Sequence, residues 1–186
     1  MGPGHLAVGL AAKYVAPKVP LGVLLLATEA IDILCVGVFV PLGIEHSSSD
    51  PSLVSIPWSH GLFMSVIWSV IAALLAARIY RNYRTGTVIG LVVFSHWVLD
   101  FISHPMGLGH PLPPDLPLFL EGSPKVGLGL YNYSPGVALA IEFGLLILGV
   151  LIYIRTVKKK ALPGLAGNGT QTRSARIHTD RIEKSA

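Results

Sequence analysis

Apolar residues gather along this chain in four long blocks, and the intervals between them are polar, basic or rich in proline. The blocks run roughly from Leu21 to Ile44, Leu62 to Tyr80, Val88 to Ser103 and Val137 to Ile154. A bilayer-spanning helix needs about 17–25 residues. Three blocks meet that length, and the third meets it once its ends are extended to Thr85 and His104. The pattern predicts an all-α fold: a polytopic membrane helical bundle with four transmembrane helices. A shorter stretch, His5 to Ala16, predicts an N-terminal amphipathic helix ended by Pro17. It is too short to span alone and reads as interfacial or re-entrant.

Composition agrees with the pattern. The 186 residues are 52% hydrophobic and only 13% charged, about half the roughly 25% usual for soluble domains. The expected division is an integral membrane domain over residues 1–160 and a disordered cytoplasmic tail over 161–186, where Gly, Ser, Thr, Arg and Lys take over. Residues 1–5 lack the basic start and small-residue cleavage site of a signal peptide, so the first block is expected to be retained. With one cysteine, Cys35, an intrachain disulfide is excluded.

The net charge of +4 hides a strong segregation. Lys13 and Lys18 precede the first block. Arg78, Arg81 and Arg84 join the second to the third. Arg155 and Lys158 to Lys160 follow the fourth, where they also suit contact with anionic lipid. The remaining loops, 45–61 and 104–136, hold a single lysine, Lys125. By the positive-inside rule both termini face the cytoplasm and these two loops face outward. No basic groove interleaved with aromatics is present, which argues against a nucleic-acid partner.

That topology gathers the ionisable groups of the apolar blocks into one layer. With a rise of about 1.5 Å per residue, Asp100 lies about 6 Å and His96 about 12 Å from the outer end of the third helix. Glu142 lies about 9 Å into the fourth helix, and Asp32 about 16 Å below Gly43. His60 sits at the outer mouth of the second. His96 and Asp100, four residues apart, share one helix face, and His104 continues it. Ionisable groups at membrane depth are costly and are read as functional by default.

Imidazole and carboxylate suit zinc, iron or manganese, and the lack of cysteine argues against a structural zinc–thiolate site. The metal-ligand candidates are Asp32, His60, His96, Asp100, Glu142 and His104. His5 joins them only if residues 5–16 dip into the membrane. Glu29, three residues before Asp32, is open between partner, supporting group and neutral buried acid. His46, His110 and His178 read as loop or tail residues. The aromatic belt accounts for Trp58, Trp97, Tyr131 and Tyr133 without a ligand.

Several segments resemble a family. These are Gly4-His5-Leu-Ala-Val-Gly9, Trp58-Ser-His60-Gly-Leu62, Ser95-His-Trp-Val-Leu-Asp100 and Lys125-Val-Gly-Leu-Gly-Leu-Tyr-Asn-Tyr-Ser134 followed by Glu142. They look like the small bacterial inner-membrane proteins described as membrane-bound metal-dependent hydrolases. That family is distantly similar to the zinc-dependent phospholipase C and P1 nuclease group. The resemblance covers roughly residues 4–155. It implies that His96 and Asp100 are metal ligands, with Asp32 and His60 as further ones. Members often carry Pro-Asp-x-Asp at the first acid; here Thr28-Glu-Ala-Ile-Asp32 matches only at Asp32.

The expected function is a metal-dependent hydrolase of the bacterial inner membrane. Water activated at a divalent metal, zinc before iron or manganese, would attack a phosphoester or lipid-like substrate. Asp32 and Glu142 are the expected catalytic carboxylates. The alternative is a small permease or ion- or proton-coupled transporter using the same groups, and a non-enzymatic scaffold is a third reading. The lipid bilayer is the expected partner, with a homo-oligomer open.

Overall fold

The computed structural model describes residues 2–46 and 55–161. The expected tail therefore lies, apart from Ala161, outside the described residues, as do His178 and part of the loop 45–61. The fold is helical. The helices are α1 (Gly4–Val15), α2 (Leu21–Thr28), α3 (Ala30–Leu34), α4 (Leu62–Tyr80), α5 (Tyr83–Ser103), α6 (Leu130–Tyr133) and α7 (Pro135–Ala161). A π-helical turn, Cys35–Phe39, continues α3, and a two-residue hairpin pairs β1 (Leu116–Pro117) with β2 (Lys125–Val126).

Three helices are long and apolar enough to cross a membrane: Leu62–Tyr80, Tyr83–Ser103 and Pro135–Lys159. Their outward faces carry exposed Leu74, Ile79, Leu91, Ile147 and Leu148. Large apolar side chains in such number face lipid, not water. This is a membrane protein by the length and composition of its helices.

The first apolar block is not one straight helix. It breaks at Glu29, and the axis turns by 65° between Leu21–Thr28 and Ala30–Phe39. One local cause stands at the break. The Thr28 hydroxyl donates back to the Leu25 carbonyl at 2.7 Å, a bond that bends helices. Beyond Leu34 the bonding widens to the π pattern, with Val40 N–H donating to the Cys35 carbonyl.

α4 and α5 form a tight antiparallel hairpin. Arg81 closes α4 in the left-handed conformation (φ 49°), and the Asn82 side chain caps α5 by accepting from Thr85 N–H at 3.0 Å. The two helices touch backbone to backbone. A Cβ on Gly86 would lie 2.4 Å from the Ala73 carbonyl oxygen, the small-residue contact that lets membrane helices approach closely.

α1 is packed inside the bundle rather than laid on its surface. It contacts α2, α5 and α7. A Cβ on Gly149 of α7 would lie 2.7 Å from the Ala7 carbonyl. Near the start of α1, Gly4 packs on Glu142, and near its end Tyr14 and Pro17 share a groove with Arg155 and Lys158. α1 therefore runs alongside α7 in the same direction. Residue 2 lies at the level of Glu142, about 24 Å along α7 from Lys158. The chain then turns at Pro17 and climbs back through α2 and α3, burying Leu24, Ala27 and Ile31 in one apolar cluster with Val92 and Val93 of α5.

The segment between α5 and α7 caps the same end of the bundle. Phe63 N–H donates to the Leu118 carbonyl, Leu128 N–H to that of Phe101, and Gly129 N–H to that of His104. These bonds tie the cap to the ends of α4 and α5.

Candidate metal centre

Four elements bring ionisable side chains to one buried point. α5 contributes His96 and Asp100 one turn apart, both fully buried. The turn before α4 contributes His60. α3 contributes Asp32, aimed inward by the break at Glu29. α1 contributes His5, because residues 4–15 dip into the bundle.

The ring nitrogens divide their work. His96 Nδ1 lies 2.7 Å from the Thr28 carbonyl oxygen, which can only accept. His5 Nδ1 lies 3.3 Å from the Gly2 carbonyl. His60 Nδ1 lies 2.7 Å from Ser59 Oγ, whose one proton is given to Glu45 Oε2 at 2.7 Å. In all three rings Nδ1 is therefore the donor and Nε2 is turned inward.

Those Nε2 atoms meet carboxylate oxygens. His60 Nε2 is 3.1 Å from Asp32 Oδ1 and 3.5 Å from Asp100 Oδ2. His96 Nε2 is 3.2 Å from both Asp32 Oδ2 and Asp100 Oδ2. His5 Nε2 is 3.3 Å from Asp100 Oδ1. Of these close approaches only His60 to Asp32 has hydrogen-bond geometry; His5 Nε2, His96 Nε2, Asp32 Oδ2 and both Asp100 oxygens are buried without a hydrogen-bond partner. A neutral ring with its proton on Nδ1 presents a lone pair at Nε2. Lone pairs facing lone pairs in a buried site repel unless a proton or a metal cation lies among them, as a proton does in the His60–Asp32 hydrogen bond.

The donor set fits a divalent metal. Two overlapping triads, His5–His96–Asp100 and Asp32–His60–His96, each hold their ligand atoms within 4.8 Å of one another. Ligands placed about 2.0–2.1 Å from a tetrahedral zinc lie about 3.3 Å from each other. The separations above cluster around that value. Two aspartates also supply the charge that a divalent cation would neutralise. Ligating histidines that bond outward through their second nitrogen are the usual supporting arrangement at metal sites.

His104 stands at the rim. Its Nε2 is 3.9 Å from Asp100 Oδ1, and its Nδ1 is 3.0 Å from Asp115 Oδ2 in the cap. Burial pulls its pKa down, but the hydrogen bond to Asp115 and the nearby Asp100 and Asp115 charges outweigh burial and raise it. Glu142 lies apart from both triads. Its Oε1 accepts from the Tyr131 hydroxyl at 3.0 Å, and its Oε2 is buried without a partner. Burial first, and then the Glu142 carboxylate, push the Tyr131 phenol up to about 12. A Cβ on Gly2 would lie 1.1 Å from Glu142 Oε2, so only glycine leaves room for this carboxylate. Glu142, Tyr131 and His5 line a cavity of about 50 Å³, enough for one water at about 30 Å³ each.

Of the seven ligand candidates read from the sequence, the structure brings Asp32, His60, His96, Asp100 and the conditional His5 together, and leaves His104 at the rim and Glu142 outside both triads. The sequence reading missed Glu45, Ser59, Asp115 and the Thr28 carbonyl, which fix the rings from behind. It also assigned Tyr131 to the aromatic belt, whereas Tyr131 is buried against Glu142; exposed Tyr133 does suit a belt position. Glu29 accepts from the Thr28 hydroxyl at 3.3 Å and belongs to neither triad. His46 bridges Ser55 through its backbone, and His110 is exposed.

Comparison with family models, with curated proteins and with solved structures gives no match for this chain.

Proposed function

We propose that the protein is a membrane-embedded, metal-dependent hydrolase of the bacterial inner membrane, acting on a phosphoester or lipid-like substrate. The observation that carries the metal is the convergence of unpaired Nε2 and carboxylate oxygen atoms at ligand–ligand spacing. The reaction class rests on the resemblance of residues 4–155 to membrane-bound metal-dependent hydrolases. The bent pair α2–α3 with its π turn serves as a fourth span, and the basic segments after Val15, Tyr80 and Ile154 face the cytoplasm. Zinc is the first choice of metal for this nitrogen and oxygen set, before iron or manganese.

When bound, a divalent metal supplies a Lewis acid and makes water a stronger acid. The chain supplies the rest. Asp32, His60, His96 and Asp100 would hold the cation, and His5 reaches the other oxygen of Asp100. Thr28, Ser59 and the Gly2 carbonyl keep the Nδ1 protons in place. Glu142 Oε2, without a partner and beside the small cavity, is the atom that takes a proton. The cavity has room for water and not for a headgroup, so substrate entry requires the cap over residues 104–134 to open.

The test is hydrolysis of a panel of phosphoesters and phospholipids by the zinc-loaded full chain in detergent. The expected result is turnover that is lost on chelation and in Asp100→Asn. Turnover that survives both would remove the proposal.

A second reading has one observation in its favour. The cluster is closed, with Asp32 the most open of the five at 14% side-chain exposure, which suits a bare cation or proton. On that reading the protein carries ions, and liposome flux should depend on Glu142 and fall in Glu142→Gln.

A further inference from the structure

The basic end of the bundle carries a feature the metal centre does not use. α1 stops at Val15 and the chain turns away at Pro17, while α7 continues to Ala161. The mismatch leaves a groove of about 680 Å³ lined by Tyr14, Pro17, Ile152, Arg155, Thr156, Lys158 and Lys159. Its floor offers no free donor, because the Thr156 hydroxyl is spent on the Ile152 carbonyl at 2.7 Å. The Tyr14 ring and the side chains of Pro17 and Ile152 make the walls apolar.

Among the described residues the rim is cationic without compensation. Arg155, Lys158 and Lys159 are exposed, and among the described residues none of them has an ion pair. The charge pattern of the chain explains why. Residues 2–28 and 55–99 contain no Asp or Glu, and the one acid of α7 is Glu142, about 20 Å away along the helix at Arg155. α7 is about 40 Å long, against a hydrocarbon core of about 30 Å, so its last turns reach the headgroup layer.

We propose that this groove is a binding site for one anionic phospholipid of the surrounding bilayer. An acyl chain lies between Tyr14 and Ile152, and the phosphate accepts hydrogen bonds from Arg155, Lys158 and Lys159 at the rim. A zwitterionic lipid fits the same walls but brings its own cation to a rim that already holds three. The site therefore selects by headgroup charge, and its depth in the groove selects lipid over soluble phosphate.

The test is native mass spectrometry of the detergent-purified full chain. It is incubated with phosphatidylglycerol and phosphatidylcholine of matched acyl chains, and the retained lipid is identified. The wild type should retain the anionic lipid at least about fivefold over the zwitterionic one, and the preference should shrink as each cation is removed. R155Q/K158Q/K159Q should abolish the preference. Ile152→Trp, which fills the groove and leaves every charge, should displace the lipid. Neutralising Lys160, Arg173, Arg176, Arg181 and Lys184 to glutamine should leave the preference intact. Melting temperature and metal content serve as controls for folding. Equal retention of both lipids by the wild type, or retention that depends on the tail residues and not on the groove, would overturn the site.

Discussion

The two halves of this bundle are built on opposite rules. In the half that ends at Val15 and Tyr80, helices meet through small and apolar side chains, such as Gly86 on Ala73 and Leu24 against Val93. In the other half they meet through His5, Asp32, His60, His96 and Asp100, fully or largely buried. Apolar contact in a membrane gains little from water exclusion and relies on close fit. The polar layer gains little from fit alone, because its buried carboxylate oxygens and Nε2 atoms need a proton or a cation between them. One half should therefore hold the fold without a ligand. The other should be completed by a cation and loosened by its removal.

The largest effect that separates the halves is expected from His96→Ala/Asp100→Ala. It removes His96, which belongs to both triads, together with Asp100 of one of them, and metal binding should vanish while the helices still assemble. Metal analysis paired with circular dichroism checks this. Chelation of the wild type should lower the melting temperature, whereas chelation of the double variant should leave it unchanged.

A smaller effect on the same half is expected from Glu45→Gln. Glu45 is buried and accepts from Ser59 N–H at 2.8 Å as well as from Ser59 Oγ. Replacing the carboxylate weakens its hold on the Ser59 proton and frees His60 to change tautomer. Changes of this kind cost about 10–100-fold in metal affinity. Metal titration followed by calorimetry would measure it, and a wild-type affinity would show that the Glu45–Ser59–His60 chain is only structural.

Gly86→Ala tests the apolar half. Its new Cβ meets a carbonyl oxygen that belongs to rigid helix, so α4 and α5 must separate. Overpacking of this sort costs about 1–3 kcal/mol. Melting temperature should fall while metal per folded chain stays constant. A comparable loss of metal would show that the two halves are coupled.

Tyr131→Phe should likewise spare the metal. It removes one hydrogen bond to a buried carboxylate, worth roughly 1.5–3 kcal/mol in typical cases. Metal content should stay at the wild-type level, because Glu142 belongs to neither triad. If Tyr131→Phe releases metal, Glu142 is closer to the cation than the geometry implies.

The straight elements were legible in the sequence. α4 has the bounds Leu62–Tyr80 expected from its apolar run, and His96 and Asp100 meet because residues four apart share a helix face. The first block was not legible as a broken helix, since Leu21 to Ile44 is uniformly apolar. The break depends on the hydroxyl of Thr28 turning back on its own helix, and hydropathy does not record that. His5 was doubtful for a related reason. Charge counting assigned the start of the chain to the basic side, whereas backbone contact between Ala7 and Gly149 holds α1 beside α7 with His5 at the level of the cluster. Supporting groups such as Glu45 and Asp115 were hidden because they lie in loops, where periodicity carries no signal and contact is set by the tertiary fold.

The account depends most directly on a cation among Asp32, His60, His96 and Asp100. The decisive measurement is the metal content of the full chain, purified in detergent without chelator and then equilibrated with zinc, iron or manganese. At least one tightly held divalent ion per folded chain, absent from His96→Ala/Asp100→Ala, is the predicted result. A folded wild-type chain that holds no metal after equilibration would contradict it.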